Sequence, residues 1–187
     1  MRRKDREMDR EFGLQVIDHA AYGVLSLVDS DGLAYGVPLS LAREGDVLYF
    51  HAAQSGRKTD LLRDGAHAHV VFVGPTRIPD VMTQEEAADA AKTPAKFGEL
   101  TSKLFTTEYE SAMVLGTIRQ LASDEDKTHG LRVIAQKFTP QWMKYFPQAA
   151  ENSLAITAVY AIDITRVTAK RKKFDPTGQE MKWQRQA

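Results

Sequence analysis

Six segments of the chain carry the apolar patterning of β-strands: Tyr22–Val28, Leu33–Leu41, Val47–Ala53, His67–Val73, Tyr109–Leu121 and Leu154–Val167. Asp29-Ser30-Asp31-Gly32 is a turn of the Asp-Gly class, and Glu44-Gly45-Asp46 turns the chain again. Three strands joined by tight turns predict an antiparallel meander, not βαβ units. Proline has no N–H to give to a ladder, so Pro38 places its strand at an edge or a bulge, and Gly36 lets another group approach the backbone. Two readings stay open here: a bare sheet edge, or a bulged strand whose free backbone groups meet a flat ligand.

Helical periodicity is found in fewer places. A charged arm, Arg2–Glu11, leads into Phe12, Leu14, Val16 and Ile17 and predicts a short helix ending near His19-Ala20. Ser55 is placed to cap a second short helix carrying Leu61 and Leu62. Residues 74–103 hold three prolines and the helix-favouring run EEAADAAK, which predicts an insertion with one short helix, of the kind that forms lids or mobile excursions. Asp124-Glu125-Asp126 opens a helix reaching Lys137 or Phe138, with Leu131, Val133 and Ile134 at helical spacing. Thr139-Pro140 starts another, carrying Trp142, Met143, Tyr145 and Phe146 as packing groups and stopped by Pro147. Lys170–Lys173 opens a polar tail whose charges read as solvated, or as an arm crossing to a partner subunit. The expectation is one domain over 1–187, with a helical insertion at 75–104 and a C-terminal tail at 170–187.

The chemistry gathers where the third strand ends. In VLYFHAAQSGRKTDLL the side chains shrink abruptly at His51-Ala52-Ala53, and Ser55-Gly56 then leads to the adjacent cations Arg57 and Lys58 at a helix start. Free backbone N–H groups, the positive end of the helix dipole and two cations suit an anionic group such as a phosphate. GxxxxGK[ST] and GxGxxG are both absent, which argues against a nucleoside-triphosphate cradle and a Rossmann crossover. His67 and His69 share one strand face, but no third ligand is near them in the sequence, so a half-exposed strand is the simpler reading and no metal site is expected.

Composition narrows the classes. Twenty-five basic residues balance 25 acidic ones, which removes a global electrostatic case for nucleic acid or an anionic membrane, and the N-terminal arm mixes both signs. The chain has no cysteine, so thiolate metal sites, disulfides and a cysteine nucleophile are excluded. No apolar run approaches the ~20 residues of a membrane span, and a soluble, cytoplasmic protein is expected.

Four stretches carry a family resemblance: the N-terminal MRRKDREM, the hairpin YGVLSLVDSDGLAYGVPLS, the joint YFHAAQSGRK and the later TTEYESAMVLG. With them the chain resembles the flavin-binding split-barrel superfamily related to pyridoxamine 5′-phosphate oxidase, most closely its nitroimidazole-resistance branch. The implied fold is mainly β, an antiparallel six-stranded split barrel of Greek-key type with a few flanking helices. The resemblance further implies a homodimer with FMN in clefts at the subunit interface. Arg57 and Lys58 would take the phosphate, helped by Ser55 and Gly56. Val37, Pro38, Leu39 and Ser40 would run along the flavin, His51, Ala52 and Ala53 would line its ring and ribityl chain, and Ser111 would contribute from the fifth strand. His51 would be the catalytic residue. The basic second strand and the C-terminal Arg/His motif of the vitamin-forming oxidases are missing, since this chain has YGVPLS and ends FDPTGQEMKWQRQA. The implied activity is therefore an FMN-dependent oxidoreductase, fed by a nicotinamide or other electron donor and reducing a small electron-poor acceptor such as a nitroaromatic. The alternative is a non-enzymatic flavin, deazaflavin or haem binder for storage, sensing or electron relay.

Overall fold

One antiparallel sheet of eight strands organises the structure, a computed structural model that describes residues 2–80 and 82–183. In chain order the elements are β1 (Glu7–Met8), α1 (Arg10–His19), β2 (Gly23–Val28), β3 (Ala34–Leu39), β4 (Ala42–Glu44), β5 (Val47–Ala53) and α2 (Arg57–Leu61). They continue with β6 (His67–Arg77), α3 (Gln84–Ala91), α4 (Pro94–Leu104), β7 (Glu108–Gln120), α5 (Asp124–Phe138), a 3-10 turn (Pro140–Tyr145), α6 (Phe146–Ser153) and β8 (Thr157–Lys172). The sheet runs β3-β2-β6-β7-β8-β5-β4, with β1 beside β8.

Alternation along the strands sets the core. Leu25 and Leu27, Leu48 and Phe50, Val70 and Phe72, Ala112 and Val114, and Tyr160 and Ile162 all turn inward, and Phe50 stacks on Tyr160 at 5.2 Å between ring centres. Each large side chain buried this way contributes about 2 kcal/mol. Asp9 accepts the N–H of Phe12 at 2.8 Å and caps α1, which lays Val16 and Ile17 onto the same core. The six strands read from the sequence are present, and the split-barrel class with flanking helices holds.

The meander is split. β3 pairs only with β2, whereas β5 pairs with β8 and with the short β4. The chain therefore breaks at Ser40-Leu41 and carries its next strand to the opposite end of the sheet. Lys137 of α5 holds that corner, donating to the carbonyls of Leu41 (3.0 Å) and of Ile17 in the last turn of α1 (2.9 Å). Burial lowers its pKa, and the two carbonyls stabilise the charge that remains.

Three local expectations are corrected. Pro147 begins α6 and does not end the preceding turn, because its fixed φ and missing N–H suit a first helical turn. The insertion holds two helices, α3 and α4, after β6 has run on to Arg77; Val81 within it lies outside the described residues. The charges at 170–173 do not open a solvated tail: Lys170–Lys172 end β8, laddered to β7 and β1. The buried Lys172 ammonium donates to the Thr106 hydroxyl and lies 5.6 Å from the Phe174 ring. After it, Phe174 bridges to Glu180, and Arg6–Glu180 (2.6 Å) and Lys182–Asp5 (3.1 Å) tie the two chain ends together. Residues 184–187 of the expected tail lie outside the described residues.

Gly116 lies where the β7–β8 register shifts, and a Cβ there would sit 2.7 Å from the Asp163 carbonyl oxygen and 2.5 Å from Ile162. The backbone oxygen has little room to yield. Gly116→Ala is expected to cost about 2 kcal/mol, read as a lowered urea midpoint at unchanged slope.

Candidate functional site

The alternation that buries Phe50 turns His51 to the other face of β5, two residues beyond Tyr49, which packs on Val133 and Ile134 of α5. His51 and Ser40, eleven residues apart, come together on one groove of about 300 Å3. Leu131, Ile134, Ala135 and Phe138 of α5 wall it, with Phe146, Ala149 and Ala150 of α6. In the sequence Phe146 reads as a packing group, and Leu131 and Ile134 read only as positions at helical spacing. An aromatic at helical spacing looks the same in sequence whether it meets a core or a cleft, so the pattern held no signal for this role.

Partial burial lowers the His51 pKa from its ordinary value, and the nearby Lys58 ammonium lowers it further. That direction favours the neutral ring at pH 7, and the side chain is still reachable by solvent.

Beyond His51 the chain turns through Ser55 to Gly56, whose φ of +120° is a conformation that favours glycine and whose Cβ position is open space. Gly56 occupies the cap position of α2, and no side chain caps the helix, contrary to the expectation for Ser55. α2 has only five residues, so its dipole is weak. Anion attraction at this corner rests mainly on Arg57 and Lys58. Thr59 holds the turn closed by donating to the Ala53 carbonyl at 2.9 Å.

Arg57 also reaches the β2–β3 hairpin. Its guanidinium lies 5.0 Å from the centre of the Tyr35 ring and 3.3 Å from an Asp29 oxygen. The Asp29 carboxylate is held below its usual pKa, first by the Leu33 backbone N–H (2.8 Å), then by that of Asp31 (3.1 Å) and by Arg57. α2 thus meets one end of β3, and the shared groove joins the other end, at Ser40, to His51. Pro38 and Val37 stand on this edge strand, paired only with β2, and Phe50–Ala53 have only β8 as partner. Val37, Pro38 and Leu39 therefore lie on one free strand edge, with Ser40 just beyond its end, and His51, Ala52 and Ala53 lie on another, with Gly56, Arg57 and Lys58 next along the chain. Two unpaired strand edges, small side chains and an open glycine turn with two cations fit a planar cofactor bearing a phosphate.

Ser111 stands apart. It is half-buried on β7 between Val73 and Lys170, in the middle of the sheet, and lines no part of the groove. His67 and His69 are exposed on β6, and no cluster of three or more metal-ligating side chains occurs among the described residues. No helix among them is long and apolar enough to cross a membrane.

The fold has solved counterparts. A candidate 5-nitroimidazole antibiotic resistance protein from Bacteroides thetaiotaomicron VPI-5482 is 20% identical, with a TM-score of 0.65 over 88% of this chain and 86% of its own. The FAD and heme binding protein from Mycobacterium smegmatis is 22% identical, with a TM-score of 0.65 over 89% of this chain and 73% of its own. The flavocytochrome Anf3 from Azotobacter vinelandii is 18% identical, with a TM-score of 0.63 over 92% and 70%. At these identities the likeness shows the fold. Among curated proteins, no sequence matches this chain. The family model described as pyridoxamine 5′-phosphate oxidase matches residues 9–171, nearly the whole sheet and its helices, and the chain belongs to that family.

Proposed function

We propose that the protein is an FMN-dependent oxidoreductase that reduces a small electron-poor acceptor, such as a nitroaromatic, at the groove beside His51. The observation that carries this reading is the span of β3 between two features: Arg57 of the Gly56–Lys58 corner reaches one end at Tyr35, and a groove shared with the exposed His51 adjoins the other end at Ser40. FMN would supply two-electron redox chemistry between a nicotinamide donor and the acceptor. Arg57 and Lys58 would hold its phosphate, the backbone of Val37–Ser40 would face its ring, and Ala52 and Ala53 would leave it room. His51 would hold a proton at the acceptor side, and α5 and α6 would exclude water. Structural neighbours named as an FAD and heme binding protein and as a flavocytochrome support a flavin on this fold.

A homodimer completes the proposal. On the outer sheet face Val73 of β6 and Met113 of β7 are 48% and 47% exposed, an apolar pair that a second copy would cover. Val73→Glu with Met113→Glu is expected to give monomers by light scattering and to weaken flavin retention.

The visible spectrum of the purified protein, taken before and after anaerobic addition of a nicotinamide donor, tests the assignment. Yellow protein that bleaches supports it. Protein that stays colourless with added FMN sinks it and turns attention to the second reading, a haem or deazaflavin binder without turnover, which the haem-binding neighbours favour.

A further inference from the structure

A second cavity, of about 250 Å3, opens where β6, β7 and β8 meet the insertion and the C-terminal segment, and it shares no lining residue with the groove beside His51. Strand register builds one side of it. Thr76 of β6 stands opposite Tyr109 of β7, and Tyr109 opposite Lys172 of β8, so a hydroxyl, a phenol and an ammonium form one row across three strands. Directly opposed side chains share a sheet face with their Cβ atoms about 5 Å apart, and all three groups can donate a hydrogen bond.

Lys172 is the unusual member, a cation only 7% exposed. Its ammonium donates to the Thr106 hydroxyl and lies 5.6 Å from the Phe174 ring centre, and both partners are neutral. The carboxylates at this end of the sheet have cations of their own. Glu108 is taken by Arg77 and by the Phe174 N–H (2.6 Å), Glu110 by Lys173 (3.8 Å), Glu180 by Arg6 (2.6 Å), and Asp5 by Arg3 (2.7 Å) and Lys182 (3.1 Å). Glu180 attracts the Lys172 charge from further off, while burial, Arg6 and Arg3 all oppose it. A buried charge is costly until it is both paired and hydrogen-bonded. The cavity lining holds Arg77, Lys172 and Lys173 against Glu108 and Glu110, so one negative charge would balance it.

We infer that this cavity binds a compact oxyanion, the carboxylate or phosphate group of a small molecule, against the row of Thr76, Tyr109 and Lys172. Its volume lies below the roughly 300–1,000 Å3 of ordinary small-molecule pockets and suits a ligand of a few heavy atoms. Bound there, the anion supplies Lys172 with the counter-charge that the chain's own carboxylates give to other cations. The site is independent of the flavin reading.

Line broadening in NMR titrations of inorganic phosphate and of isotope-labelled acetate, at constant ionic strength, tests the site on the full chain. The proteins are the wild type, Lys172→Met, Tyr109→Phe and the double variant Arg57→Gln with Lys58→Gln, each checked by far-UV dichroism. The double variant removes the α2 corner, which also suits phosphate. At least one of the two anions is expected to bind the wild type and the double variant alike. Lys172→Met should weaken that binding about tenfold and Tyr109→Phe about threefold. Phosphate alone identifies a phosphoryl ligand, acetate alone a carboxylate, and either result supports the site. Failure of both anions to bind the wild type overturns the inference, as does binding that disappears in the double variant or ignores both Lys172→Met and Tyr109→Phe. If Lys172→Met does not fold, Tyr109→Phe, which removes a single hydroxyl, decides. Wild type that binds neither anion, with Lys172→Met turning dimers into monomers by light scattering, assigns the counter-charge to a second copy and also overturns the inference.

Discussion

His51→Gln is expected to leave the protein yellow with FMN and to lower turnover of a nitroaromatic by a factor of about 10² or more, the usual contribution of a positioned proton donor. Glutamine keeps similar reach and hydrogen-bonding capacity but holds no titratable proton, so retained flavin with lost turnover separates proton supply from binding. The pH profile adds a second readout. Burial and Lys58 lower the His51 pKa, so the imidazolium becomes abundant only below the ordinary histidine value near 6.5. A step that takes its proton from His51 should accelerate as pH falls from 7, with its inflection below 6.5, and His51→Gln should flatten that rise. The same depression has a stability consequence: the unfolded chain binds this proton more readily than the folded one. Stability from this group is present above the unfolded pKa and declines as pH falls toward the lowered folded value. Unchanged turnover in the glutamine variant would remove the catalytic role.

Arg57→Gln with Lys58→Gln is expected to weaken FMN about a hundredfold while leaving riboflavin, which lacks the phosphate, nearly unaffected. A charge-assisted hydrogen bond contributes about 1.5 kcal/mol at the low end of its range, and two give about 3 kcal/mol. The low end applies because the Arg57 side chain is 64% exposed and already meets Asp29 at 3.3 Å. Lys58, half-buried and without such a partner among the described residues, should be the more costly of the two alone. Fluorescence titration of both flavins decides it: equal losses for FMN and riboflavin would mean that the pair supports the fold of the α2 corner and not the phosphate.

Family membership does not by itself bring the vitamin-forming reaction. The β3 sequence Tyr35-Gly36-Val37-Pro38-Leu39 presents no cation, and the groove beside His51 presents none among its described residues. A phosphorylated pyridine substrate would need a second anion site, which these residues do not supply.

The sequence by itself determined six of the eight strands, the Asp29–Gly32 turn and the cluster from His51 to Lys58, and it confined Pro38's strand to an edge or a bulge, because each follows from short-range rules of alternation, turn chemistry and missing N–H groups. Tertiary structure decided everything that depends on which surface meets which. Periodicity marks a face but not its neighbour, so Phe146 reads as packing although it walls a cleft with Phe138. The engagement of Arg57 by Asp29 and Tyr35 required the hairpin to fold back across 28 and 22 residues. The run Lys170–Lys173 looked solvated because charge alone predicts water, yet β7 and β1 offered free strand edges. A long lysine stem buries readily when its ammonium finds an oxygen, as Lys172 does at Thr106. The break at Ser40-Leu41 was equally hidden, since the carbonyls that Lys137 holds there belong to residues 96 and 120 positions away.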